Sequence, residues 1–188
     1  PGLTLLDALE TRYGHVAYGR LGDQFSVVQD GRIAESFPQP EAVQQTAAYV
    51  YAQSKDAQNV LVFGGFAGGL VAELLRYPVR HIDVVIQDKS AFEHLMPYLT
   101  PENRAALDDS RLQLRFGDSR RYLRGLTGQR YDLALALDAA PTSAHSNRHG
   151  HGSAASAHTH PVLPSRLWWQ PRTADGHPNR HAAFSITR

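Results

Sequence analysis

Cysteine is absent from the 188 residues. That excludes a disulfide scaffold, a thiolate metal site and a cysteine nucleophile. It also fits a reducing compartment, and a cytoplasmic location is expected. No run approaches the roughly 20 consecutive apolar residues a spanning helix needs, so no membrane span is expected in this chain. No basic segment followed by an apolar one opens the sequence, and no signal peptide is visible. The chain begins at Pro1 rather than at a methionine, as expected of a fragment or a processed product, and whether a membrane segment precedes Pro1 is left open. An excess of one charge sign is missing too: the formal net charge is +1.

That balance hides a split. From Ala144 onward five arginines face one acidic residue, Asp175, a net +4, which leaves about −3 for the first 143 residues. Seven of the ten histidines and both tryptophans lie in the same tail. The mildly acidic body gives no reason to expect nucleic acid as a partner. Length and an apolar content of 42 % suit one domain with a tail.

The pattern along the chain divides into three expected parts. Residues 1–55 read as a small β-hairpin unit and a helix. Thr4 to Tyr13 is a short helix or a lead-in, and strand-like runs from Gly14 to Glu35 are broken by Gly22-Asp23 and Asp30-Gly31. Glu41 to Ser54 follows as a helix. Residues 56–148 alternate strand and helix: strands at 60–63, 81–86, 112–116 and 133–137, helices at 70–77, 90–99 and 119–126. This predicts an α/β fold with a parallel sheet, partial and Rossmann-like. Residues 149–188 form a low-complexity tail rich in His, Gly, Ser and Pro, expected to be disordered. Within it His149, His151, His158 and His160 read as an unselective imidazole tract, and no metal site is expected. Phe25, Tyr49 and Tyr51 read as core aromatics.

The strongest chemical signal is Gly64-Gly65-Phe66-Ala67-Gly68-Gly69, between the first parallel strand and its helix. Glycines let backbone approach a ligand, and the helix start offers free N–H groups. The loop is neither the dinucleotide Gly-x-Gly-x-x-Gly nor a P-loop with its Lys-Ser/Thr. It reads as a ligand cradle or as a plain tight turn. Asp88 stands 20 residues after Gly68, where an acid would bind ribose hydroxyls, and it reads equally as the N-cap of the next helix. Asp118 and Ser119, after Gly117, suit contact with an exocyclic amine or another N-cap. Asp138, just past the fourth strand, suits a base or is a loop acid.

Together these segments resemble the polyamine aminopropyltransferases, the spermidine synthase family, and more closely the bacterial spermidine synthase-like domains often fused to transporter-like membrane segments. The resemblance runs from Tyr13 to Arg148. It rests on VLVFGGFAGG at 60–69, HIDVVIQD at 81–88, LTPENRAALDDSRLQLRFGDSRRYL at 99–123 and YDLALALDAAPTSAHSNR at 131–148. It implies a class I methyltransferase-type sheet. Gly64, Gly65, Gly68 and Gly69 would cradle decarboxylated S-adenosylmethionine or methylthioadenosine. Asp118 and Ser119 would face the adenine, and Asp138 would help deprotonate the attacking amine. No tightly bound cofactor is implied; the nucleoside is a co-substrate. The partners implied are that nucleoside and a polyamine, with a homodimer as a further expectation.

The sequence also departs from the family pattern. Phe66 and Ala67 stand where the family has a third Gly and an Asp that holds the aminopropyl ammonium. Ile86 takes the place of the ribose-binding Glu. Gln44-Gln45-Thr46 replaces a Tyr-His-Glu, and Ala140 precedes Pro141 where an acid is usual. Weak or lost aminopropyl transfer is therefore expected, with a gain on Ala67→Asp. Three functions stay open: an aminopropyltransferase of polyamine metabolism, a catalytically inactive nucleoside-binding or interaction domain, and an S-adenosylmethionine-dependent methyltransferase of a small substrate.

Overall fold

Two-residue turns fold the first part of the chain into an antiparallel meander. A computed structural model describes residues 4–128, 131–137 and 182–185, the last four as backbone. Strands β1 (Thr4–Thr11), β2 (Gly14–Leu21), β3 (Gln24–Gln29) and β4 (Arg32–Phe37) lie in that order in one sheet. The β3–β4 turn, Asp30-Gly31, has φ of 48° and 76°, the two positive values that a type I′ hairpin requires. Residues 4–11, expected as a helix or lead-in, are edge strand β1. Every second residue toward its end is half-buried, and pairing with β2 overrides the local preference.

Helix α1 (Pro40–Gln53) starts with a proline whose φ suits a first turn, and it buries Ala47 and Val50. The second sheet is built from β5 (Asn59–Phe63), β6 (His81–Ile86), β7 (Leu112–Phe116), β8 (Leu133–Ala136) and β9 (Ala182–Ser185), with helices α2 (Leu70–Leu74), α3 (Lys89–Leu95), α4 (Pro101–Ala106) and α5 (Ser119–Gly125) between strands. Strand order is β7-β6-β5-β8-β9. β5 pairs in parallel with β6 and β8, and β6 with β7. The parallel α/β sheet with a small antiparallel unit ahead of it is as expected. Helix α4 lies outside the expected helices; Thr100 caps it by accepting from Asn103 N at 3.2 Å.

The tail differs from expectation in one place. Ala182–Ser185, within the stretch expected to be disordered, runs antiparallel to β8 as β9. An open strand edge presents unpaired N–H and C=O groups to any extended segment free of proline. The rest of 149–181, including the histidine tract, lies outside the described residues.

One face of the second sheet (Val60, Val62, Ile82, Val84, Leu133, Leu135) shares a core with Val16, Tyr18, Phe25 and Phe37 of the first. Tyr18 is buried; its hydroxyl donates to Ala91 O at 2.6 Å, and its ring stacks on Tyr98. This contact fastens the meander to α3. Phe25 is a core aromatic and Tyr51 packs tilted against Tyr77, whereas Tyr49 is exposed, because α1 turns it outward.

The opposite face carries Leu61, Phe63, Val85 and Tyr131, together with a fully buried acid, Asp83. Asp83 accepts from Tyr131 Oη at 2.7 Å and Arg115 Nε at 3.2 Å, and pairs with His81 Nε2 at 2.9 Å. Burial, first of all, raises the Tyr131 hydroxyl pKa, and its hydrogen bonds to Tyr122 and Asp83 add to that. It therefore stays a donor.

Candidate functional site

From β5 the chain builds outward through β6 and β7, then returns to lay β8 on the other side of β5. Such a reversal opens a crevice at the carboxyl ends of the strands, the usual ligand position in open α/β sheets. Loop 64–69 leaves β5 at this point. Gly64, Gly65 and Gly69 have φ of 66°, 63° and 94°, backbone that other residues adopt only with strain. At Gly65 a Cβ would also overlap the Leu137 side chain. These glycines are therefore required by the turn itself.

The strand ends lie along one rim. Gly64 N donates to Val85 O at 3.0 Å, Gly117 N to Ile86 O at 3.0 Å and Leu137 N to Phe63 O at 2.8 Å. Gly64–Gly69, Asp88, Asp118 and Ser119 thus follow adjacent strands on the same side. Both acids cap helices. Asp88 Oδ1 accepts from Ala91 N at 3.1 Å, and Asp118 Oδ1 accepts from Arg121 N at 2.8 Å. Ser119 is the first residue of α5. Asp88 Oδ2 is buried with no hydrogen-bond partner among the described residues. Asp88 also lines a cavity of about 580 Å³ between the β1–β2 turn (Glu10, Arg12, Tyr13) and the ends of β6 and β7 (Gln87, Phe116, Gly117). No residue of the 64–69 loop lines it. Asp138 lies outside the described residues, directly after Leu137.

The sequence did not point to two further residues at the loop. Asn103, on α4 and 3 % exposed, donates from Nδ2 to Ala67 O at 2.7 Å, bracing the loop from inside. Glu35, on β4, reaches across from the first sheet, and its Oε2 accepts from Gly68 N at 2.8 Å. Each contact spans more than 30 residues of chain, so no local motif announces it. Phe66 and Ala67 are buried, Phe66 edge-on to Phe92 at 5.5 Å. Tyr18 lies near this rim. Its hydroxyl is raised in pKa chiefly by burial, then by the charges of Asp88 and Asp7.

The turn before β7 serves the other end of the sheet. In Asp108-Asp109-Ser110-Arg111, Arg111 binds Asp109 through Nε at 3.0 Å and Nη2 at 2.8 Å. It also donates to Leu75 O at 2.8 Å and Val79 O at 3.3 Å. This fork ties the turn before β7 to the end of α2. The bidentate pair holds the Asp109 carboxyl below its usual value.

Among curated proteins, the chain is 38 % identical over 81 residues to the polyamine aminopropyltransferase of Agathobacter rectalis, covering 43 % of this chain and 28 % of that one. It is 33 % identical over 84 residues to that of Korarchaeum cryptofilum, covering 45 % and 26 %. Its fold matches a spermidine synthase solved with the transition state analogue AdoDATO, with a TM-score of 0.64 at 18 % identity over 74 % of this chain and 48 % of that one. It also matches the spermidine synthase of Thermotoga maritima, with a TM-score of 0.61 at 18 % identity over 71 % and 48 %. The chain thus spans less than a third of the length of these curated relatives. Residues 42–151, more than half of the chain, match the spermine/spermidine synthase domain, and the chain belongs to that family.

Proposed function

We propose that this domain binds decarboxylated S-adenosylmethionine at the carboxyl rim of its parallel sheet and takes part in aminopropyl transfer to a polyamine acceptor. The observation that carries the reading is the glycine loop at the point where the strand order reverses, in a chain of this family. The names of the relatives supply the substrate class. Gly64, Gly65, Gly68 and Gly69 form the cradle in this reading. Asp118 and Ser119 face the adenine with the groups left over from capping, and Asp88 turns its second carboxylate oxygen to the nucleoside. No finding favours a methyltransferase.

The chemistry asks little of the protein beyond position and charge. A neutral amine nitrogen attacks the methylene beside the sulfonium. A C–N bond forms as the C–S bond breaks, and methylthioadenosine leaves uncharged. The amine proton passes to a base, for which Asp138 is proposed. Sulfonium and acceptor are both cationic, so carboxylates must offset their repulsion. With Ala67, Ile86 and Ala140 where the family has acids, this chain is proposed to bind the nucleoside better than it turns it over. The reading includes a cytoplasmic setting and a homodimer.

Calorimetry of the purified chain with methylthioadenosine and decarboxylated S-adenosylmethionine, paired with a spermidine-formation assay on putrescine, tests this. Saturable nucleoside binding is expected, with turnover far below the ~10 s⁻¹ of an ordinary enzyme. Full turnover would refute the account of the missing acids. No binding of either nucleoside by the folded chain would refute the site.

A further inference from the structure

Helix α5 reads Ser-Arg-Arg-Tyr-Leu-Arg-Gly, three cations and no acid. Arg120 and Arg124 are one helical turn apart, so they share a side of the helix as like charges. That arrangement costs stability, and an anion bound between them offsets the cost. Among the described residues none of the three arginines is in an ion pair. Arg120 stands out further. Its Nε and Nη2 are buried, and neither has a hydrogen-bond partner among the described residues. Those two atoms form the side-on edge of the guanidinium, which matches two oxygens of one oxyanion. Arg111 shows that edge filled in the same chain, where Nε and Nη2 bind Asp109 at 3.0 and 2.8 Å. On Arg120 the edge is desolvated and open, and buried charged donors without an acceptor are costly. The end of α5 is not the attraction, because Asp118 already caps it by accepting from Arg121 N at 2.8 Å.

We propose that Arg120, with Arg124 one turn on, forms a binding site for a small oxyanion of the phosphate or carboxylate class. Arg120 supplies two parallel N–H donors from its buried edge, and the exposed Arg124 adds charge from the solvent side. Arg120 does not line the cavity beside Asp88. The ligands of aminopropyl transfer are cationic or uncharged, so no step of that reaction uses a guanidinium fork. The site therefore takes a different ligand, and its failure would leave the reading above untouched.

The test follows the arginine Nε–H NMR signals of the full chain during titration with inorganic phosphate and, separately, with acetate, at an ionic strength held constant with chloride. The Arg120 signal should move saturably. The Arg111 signal, whose edge Asp109 already fills, is the unmoved control. Tighter binding of phosphate assigns a phosphate-bearing ligand, and tighter binding of acetate a carboxylate; either supports the site. Arg120→Lys keeps the charge but loses the fork, and should weaken anion binding by about tenfold or more. Arg124→Gln should weaken it less. Equal affinity in Arg120→Lys and the unmodified chain would reduce the site to diffuse charge and overturn the proposal. So would a drift without saturation that chloride reproduces. An Arg120 signal that no anion moves would show the edge already filled by a carboxylate of the chain, and would overturn it too. If Arg120→Lys does not fold, the titration of the unmodified chain decides alone.

Discussion

Ala67 shows how a single side chain changes the reading of a motif. From the sequence, Ala67→Asp restores an acid to the loop. In the fold position 67 is fully buried beside Phe66, Leu70 and Val71. A carboxylate there, without a partner, costs several kcal/mol, about 3–5. The expected outcome is a large fall in the thermal midpoint of Ala67→Asp, and spermidine formation that gains only if the residual folded fraction is corrected for. An unchanged midpoint would mean that the side chain at 67 opens to the crevice. Asn103 acts on the same loop from α4. Asn103→Ala leaves the buried Ala67 carbonyl without its 2.7 Å donor, at about 1–3 kcal/mol. Chemical denaturation should show that loss, and methylthioadenosine binding should weaken with it. At this scale the glycines were legible, because φ above zero leaves a mark in composition. Glu35 and Asn103 were not, because an ordinary strand acid and an ordinary helix amide meet the loop only through contacts across the chain.

Elements were read well where period and length agree. Strands β5 and β6 are short and almost wholly apolar, buried on both faces, and α1 shows helical spacing over four turns. Elements whose identity depends on a neighbour leave no such local mark. β1 is a strand because β2 lies beside it, and β9 is a strand because β8 offers an open edge. The Asp109–Arg111 fork belongs to this scale, since it fixes where β7 starts relative to α2. Its linkage to pH has a definite sign. The folded Asp109 carboxyl lies below its ordinary 3.8, so the unfolded chain takes up that proton first as pH falls. The fork's contribution is fully present above about pH 3.8 and is lost as pH drops through the lower folded value. Asp109→Asn should therefore lower the thermal midpoint at neutral pH and flatten its decline below pH 3.8. Parallel acid limbs for the two proteins would show that the fork does not contribute this linkage.

At the scale of the molecule, a meander and a parallel sheet share one core through Tyr18, Phe25 and Tyr98. That shared core is why an acid on the meander reaches the glycine loop of the sheet. The α/β architecture was legible from the strand–helix alternation. The way the two sheets meet was not, since no sequence period reports on the docking of one element set against another. The central claim is that the rim formed by β5, β6 and β7 is a nucleoside site. Amide NMR of the full chain, titrated with methylthioadenosine, tests it most directly. The account predicts saturable shifts at Gly64, Gly65, Gly68, Gly69, Asp118 and Ser119, with Arg111 and its turn at the far end of the sheet unmoved. Saturable shifts confined to other parts of the chain, or none at millimolar ligand with the protein folded, would contradict it.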